Sequence, residues 1–219
     1  MAQDGFLHRY FLNNGATRLH KWLHYFDIYE RHFERFRNRP IRMLEIGVHG
    51  GGSLAMWKAY FHPESTIVGI DILPECKKYE APGIDVHIGS QDDADFLTSV
   101  ADRYGTFDIV LDDGSHVNSH VIKTFETLYP RVDPHGVFMV EDMHTSYWPK
   151  WGGGLKRDGT FIEFAKAKID ELNAVHIKKG LAPTDITRTT DSISFYDSIV
   201  VFERRPQARR QDVVTAAMD

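Results

Sequence analysis

The stretch Met43-Leu44-Glu45-Ile46-Gly47-Val48-His49-Gly50-Gly51-Gly52-Ser53 joins a short apolar run to a cluster of glycines and then to a residue suited to capping a helix. Read as strand, tight turn and helix, with Ser53 as the expected cap, it is the opening unit of an α/β sheet whose first turn cradles a nucleotide-like ligand. The turn departs from the dinucleotide pattern. G-x-G-x-x-G needs glycine at its third place, where His49 stands, and the acid Glu45 precedes the turn. With no obvious Tyr-x-x-x-Lys pair near the site, a nicotinamide dehydrogenase is the weaker reading.

Working outward, residues 19–36 carry Trp22, Tyr25, Phe26, Tyr29 and Phe33 at helical spacing, which predicts an amphipathic helix. The break at residues 38–40 leads into a buried strand at 41–46. Further strands are expected at 66–70, 84–88, 107–111 and 136–140, and helices at 92–104, 118–128 and 161–172. Residues 192–195 and 198–203 read as a closing hairpin turned by Tyr196 and Asp197. The alternation predicts a doubly wound, mostly parallel seven-stranded sheet with an antiparallel C-terminal hairpin. Gly152, Gly153 and Gly154 follow the aromatic residues Tyr147, Trp148 and Trp151, a pattern expected of a mobile loop acting as a substrate lid. Residues 1–40 are expected to form a helical segment packing on a catalytic domain at 41–204, and the polar tail 205–219 to be disordered.

Composition narrows the function. With 219 residues, 42% hydrophobic and 26% charged, the chain suits one water-soluble domain. A net charge of −5 offers no basic field for nucleic acid. Cys76 stands alone, so no internal disulfide forms, and the first twenty residues hold no run resembling a signal peptide. No stretch approaches the roughly 18 apolar residues of a membrane span. A cytoplasmic location, with no membrane partner, is expected.

Carboxylates then accumulate at predicted strand ends. Asp71 ends the second strand, where an acid can accept both ribose hydroxyls of an adenosine. Asp112-Asp113-Gly114-Ser115-His116 and Glu141-Asp142 end two later strands, beside the ligand crevice of such a sheet. Acids crowded in one cleft repel one another unless a hard cation sits among them, which points to Mg2+ or a similar ion. His116 is the group able to exchange a proton near neutrality.

The motif Glu45-x-Gly47-x-x-x-Gly51 with Asp71 resembles the class I S-adenosylmethionine-dependent methyltransferases, with their Rossmann-like fold, over roughly the whole sheet. The resemblance implies S-adenosylmethionine as cofactor, with Glu45, Gly47, Gly51 and Ser53 toward its methionine end and Asp71 on the ribose. Ser90, Gln91 and Asp92 would lie at the adenine. Asp112 to His116, followed 25 residues after the histidine by Glu141-Asp142-Met143-His144-Thr145-Ser146-Tyr147-Trp148, is similar to the catalytic core of the macrolide sugar O-methyltransferases of the mycinamicin 2''-O-methyltransferase type. Carried over by motif position, Asp113, Glu141 and Asp142 would be metal ligands and His116 the general base. His144, Tyr147, Trp148 and Trp151 would meet the acceptor, and Asp112 would be left to indirect or cofactor contacts.

Lys21-Trp22-Leu23-His24-Tyr25 and Gly159-Thr160-Phe161-Ile162-Glu163-Phe164 extend the similarity to about residues 18–204. That type carries an additional N-terminal domain, which is not expected here, and has bulkier or apolar residues where His144 and Ser146 stand. The implied reaction is methylation of a hydroxyl on a small-molecule glycosylated acceptor, and the reading leaves room for a homo-oligomer. A catechol or other phenol O-methyltransferase and a non-catalytic cofactor-binding accessory protein are the alternatives.

Overall fold

In the computed structural model, which describes residues 5–208 and 210–215, five strands pair in parallel, and a C-terminal hairpin adds one strand that runs against them and an edge strand that runs with them. The parallel strands are β1 (Arg42–Ile46), β2 (Thr66–Asp71), β3 (Ile84–Ile88), β4 (Phe107–Asp112) and β5 (Val132–Val140). β6 (Thr190–Phe195) and β7 (Val200–Arg204) form the antiparallel hairpin, giving the order β3-β2-β1-β4-β5-β7-β6. The strands alternate between two apolar layers. Met43, Ile109 and Met139 face one and Leu44, Val110 and Val140 the other, as strands buried on both faces must. α1 (Phe6–Asn13), α2 (Tyr25–Phe33) and α3 (Gly52–Tyr60) cover the first layer, and α4 (Ala94–Tyr104), α5 (Asn118–Leu128) and α6 (Phe161–Leu172) the second. The doubly wound sheet matches the expectation, and α5 and α6 take the expected bounds.

Several local readings change. The helix expected at 19–36 is confined to α2 and a 3-10 turn at Glu34–Phe36, while residues 14–24 form a strap lying across the glycine-rich turn. The reason is backbone pairing: Arg18 bridges to Gly51, and its carbonyl accepts the Gly52 N–H at 3.2 Å. Ser53 is not the cap. Gly51 fills that position, and the Ser53 hydroxyl instead donates to Glu45 Oε2 at 2.8 Å. α4 begins at Ala94, because Asp93 caps it by accepting the Phe96 N–H at 3.0 Å. The hairpin turn extends from Tyr196 to Ile199, closed by the Tyr196 N–H to the Ile199 carbonyl at 2.8 Å.

The Gly152–Gly154 segment forms a hydrogen-bonded turn. Gly153 N–H donates to the Trp148 carbonyl and Gly154 N–H to the Ser146 carbonyl, both at 2.9 Å, and a side chain at Gly153 would meet the Thr145 carbonyl at 2.5 Å. At the start of the tail, the Arg205 and Gln207 N–H groups donate to the Thr189 and Arg188 carbonyls at 2.9 Å. The part of the tail reading that falls on residues 209 and 216–219 lies outside the described residues. Among the described residues no helix is long and apolar enough to cross a membrane.

Asn118, at the first turn of α5, clips the loop after β5 to the body of the protein. Its side-chain oxygen accepts the Ser146 hydroxyl and the Phe161 N–H at 2.7 Å each, and its Nδ2 donates to the Trp151 carbonyl at 2.8 Å. The residue is buried, so Asn118→Ala leaves polar groups on three segments unpaired. The expected loss is about 2–4 kcal/mol, seen as a melting temperature lower by roughly 5–15 °C. A loss below about 1 kcal/mol in urea unfolding would show that water replaces the clip.

Candidate active site

β1 lies between β2 and β4, so the crossovers leave it in opposite directions and open a crevice at the carboxyl ends of the strands. A cavity of about 500 Å³ fills that crevice. Of the residues predicted to bind cofactor, Gly47, Ser53, Asp71, Ser90 and Gln91 line it, joined by Asp113, His116 and Asp142. Glu45, Gly51, Asp92 and Asp112 do not.

The glycines answer mostly to protein contacts. Gly47, at φ 95°, lies where a side chain would collide with the Asp113 carbonyl, and Gly51, at φ 72°, faces the ring of Tyr79. Side chains at Gly50 and Gly52 would meet the Arg18 carbonyl at 2.7 and 2.5 Å. Thus the glycine run admits the strap 14–24 against the turn. Asp71 organises the same turn, since Oδ2 accepts the Val48 and His49 N–H groups and Oδ1 the Leu73 N–H, each at 2.9 Å. Burial opposes its charge, but the three donors outweigh burial and hold Asp71 below the usual carboxylate range.

Two acids predicted at the cofactor are enclosed. Burial pushes Glu45 up to about 7 against the pull of Lys21, and pushes Asp112 up to about 7 against the Gly114 and Gln91 donors. Gln91 Nε2 donates to both Asp112 oxygens at 3.2 Å, while its Oε1 accepts the Ser115 N–H at 2.5 Å. Gln91 therefore ties the third strand's loop to the turn after β4. Asp92 sits outside, paired with Lys123 Nζ at 2.8 Å.

Asp113, His116 and Asp142 offer donor atoms that all lie within 4.8 Å of one another. His116 and Asp142 both hold left-handed backbone, φ 58° and 55°, a conformation that non-glycine residues keep only where the surroundings impose it. His116 Nε2 stands 3.6 Å from Asp142 Oδ2. Glu141 is not in this trio. Its buried carboxylate accepts Lys21 Nζ at 2.9 Å on Oε2 and the Tyr29 hydroxyl at 2.6 Å on Oε1. Lys21 also donates to Asp113 Oδ2 at 2.5 Å and lies 3.9 Å from Glu45 Oε1. Burial alone would lower the Lys21 pKa, but Asp113, Glu141 and Glu45 outweigh it and hold the ammonium well above its usual value.

The sequence reading missed Lys21, Tyr25 and Tyr29. The tyrosines looked like members of an apolar helix face, and the one available signal was the similarity noted for Lys21 to Tyr25. Beside Asp142 the predicted acceptor residues form an aromatic wall. His144 lies 4.6 Å from Trp148 between ring centres, and Trp148 lies 5.4 Å from Trp151. Trp22 extends it, 6.0 Å from His144, and at 53% exposure is surface rather than core. Tyr147 is also exposed.

Residues 44–143 match a family described as a methyltransferase domain. Demethylmacrocin O-methyltransferase of Streptomyces fradiae is 40% identical over 200 residues, covering 84% of this chain and 50% of that protein. The 8-demethyl-8-alpha-L-rhamnosyl tetracenomycin-C 2'-O-methyltransferase of Streptomyces olivaceus is 39% identical, covering 84% of this chain and 52% of that protein. The chain thus spans about half the length of the curated relatives it matches. Among solved structures, the MycE methyltransferase from the mycinamycin biosynthetic pathway, in complex with Mg and SAH, superposes with a TM-score of 0.80 at 38% identity, over 90% of this chain and 53% of that one. Strand order, crevice and these matches agree: the chain carries a class I methyltransferase domain of the kind found in macrolide sugar O-methyltransferases.

Proposed function

We propose that the chain transfers a methyl group from S-adenosylmethionine to a hydroxyl of a sugar on a small natural product, with a divalent cation held beside the acceptor. The observation that carries this is the shared wall: the cavity at the ends of β1 and β2 is bounded by Asp113, His116 and Asp142, so a methyl donor seated there faces a proton acceptor and two carboxylates. The Streptomyces olivaceus relative, named as the 2'-O-methyltransferase of a rhamnosyl tetracenomycin-C, supports the acceptor class.

The residues fit a magnesium-like ion. Such a cation takes oxygen ligands, keeps several waters and needs only one or two carboxylates, which Asp113 and Asp142 supply from partly open positions. Bound there, it would lower the pKa of an acceptor hydroxyl. His116 lies close enough to be a third ligand, but a hard cation prefers oxygen to imidazole, which leaves Nε2 to take the hydroxyl proton. Asp142 Oδ2, 3.6 Å away, stabilises the resulting imidazolium. Glu141 would become a ligand only by exchanging Lys21 or Tyr29, so its part in this reading is to anchor both. Asp71 and Ser90 would meet the adenosine, and Gly47 and Ser53 the methionine end.

The wall of Trp22, His144, Trp148 and Trp151 offers flat apolar contact to a sugar ring or aglycone, with Tyr147 beyond it. On the same reading the protein acts in the cytoplasm on its small acceptor without nucleic acid or membrane, and residues 41–204 form its catalytic domain.

Purified protein supplied with labelled S-adenosylmethionine and a panel of glycosylated polyketides and catechols is expected to methylate a glycoside with Mg2+ and not with chelator. Full activity in chelator, or turnover of catechols alone, overturns the reading. His116→Ala is expected to lose roughly 10²–10⁴-fold in kcat, partly recovered as rising pH supplies hydroxide. A pH-independent loss would remove the base assignment. By calorimetry, Asp71→Asn weakens S-adenosylmethionine binding by about 1–3 kcal/mol, and unchanged affinity in the folded variant places the ribose elsewhere. Trp22→Ala and Trp148→Ala are expected to raise the acceptor KM while leaving the melting temperature within about 2 °C. Normal KM with a large drop in melting temperature would make the wall a packing feature.

A further inference from the structure

We propose that the N-terminal segment 18–29 is a working part of the cation site, with Tyr25 the positioning residue for Asp142 and Lys21 the positioning residue for Asp113. The inference rests on the reading that Asp113 and Asp142 hold a divalent cation beside His116, and it assigns the groups that hold those acids in place. The segment precedes the stretch matched as a methyltransferase domain, which begins at residue 44.

Each acid of the trio gives one oxygen to this segment. The Tyr25 hydroxyl donates to Asp142 Oδ1 at 2.7 Å, while Oδ2 of the same carboxylate faces His116. Lys21 Nζ takes Asp113 Oδ2 at 2.5 Å and is braced on its other side by Glu141 Oε2 at 2.9 Å. Glu141 is fixed in turn by the Tyr29 hydroxyl at 2.6 Å. Lys21, Tyr25 and Tyr29 recur every four residues, and the two tyrosines lie one turn apart on α2. Packing alone does not call for these polar tips, since phenylalanine would fill the same space. All three are aimed at the strand-end acids.

The segment is firmly seated. Its strap pairs with the glycine-rich turn through Arg18, and Tyr25, Phe26, Tyr29 and Phe33 are buried against the sheet. A carboxylate turns freely about its side-chain bonds, and the neighbouring acids repel it. Fixing one oxygen by an outer donor presents the other to an ion without further ordering on binding.

Mn2+ titration of the full-length protein, followed by electron paramagnetic resonance, tests this in wild type, Tyr25→Phe, Lys21→Met and Asp142→Asn. Tyr60→Phe is the control, because it removes a tyrosine hydroxyl that donates to Glu34 Oε2 at 3.0 Å, away from the site. Tyr25→Phe and Lys21→Met are expected to weaken Mn2+ binding by about 10–100-fold, the usual effect of losing an outer-shell partner. Tyr60→Phe should bind as wild type, and Tyr25→Phe should melt no lower than the control. Wild-type affinity in Tyr25→Phe overturns the inference and leaves the cation reading standing. Tighter binding in Lys21→Met overturns the role of Lys21, because its ammonium would then compete with the ion. If Lys21→Met does not fold, Tyr25→Phe decides alone. Wild type that binds Mn2+ no better than Asp142→Asn overturns the cation reading, and the inference with it.

Discussion

The site depends on one buried ammonium. Glu45, Asp113 and Glu141 stand at or just beyond the ends of β1, β4 and β5, close enough that their charges would drive them apart or force protons onto them. Lys21 Nζ sits among all three, its side chain almost wholly excluded from water. Removing one partner of such a buried set typically costs about 3–5 kcal/mol, because the remaining charges lose their compensation. The lysine therefore allows a dense acidic cluster at the mouth of the crevice. Its delivery across the sheet requires residues 14–24 to run as an extended strap rather than as the helix their aromatic spacing suggests.

That requirement reaches the glycine-rich turn. Gly50 and Gly52 leave room for the backbone at Arg18, and Gly47 leaves room for the chain at Asp113, so the turn answers to two crossing segments as well as to the cavity. Asp71 joins the same constraint by holding the Val48 and His49 N–H groups from the end of β2. Turn, strap and acids form one interlocked unit, and both the cavity and the trio of Asp113, His116 and Asp142 open from it. The clip at Asn118 does the corresponding work for the aromatic wall, tying the loop after β5 to α5 and α6.

Much of this was legible in the chain. Strands buried on both faces read as continuous apolar runs, and helices of a doubly wound sheet keep an apolar stripe, so β1 to β5, α5 and α6 could be placed from local pattern. The acids at strand ends were legible because the topology sends the ends of parallel strands to one edge. The strap was not, since Trp22 fits the helical spacing yet is exposed, and the same spacing hid the hydroxyls of Tyr25 and Tyr29 inside an apparently apolar face.

The sequence by itself determined the order of strands and helices, the crevice edge and the residue types that meet there, because these follow from short-range periodicity and from the handedness of crossover connections. Only the tertiary structure decided which acid does what. Glu141 and Asp142 are neighbours in the chain, but one points into the protein at Lys21 and Tyr29, and the other, in left-handed backbone, faces the cavity beside His116. Glu45 and Asp112, equally acidic in sequence, are enclosed and pushed toward neutrality. A carboxylate's role is set by its burial and by the donors that reach it, and those donors come from segments tens of residues away, which no local pattern encodes.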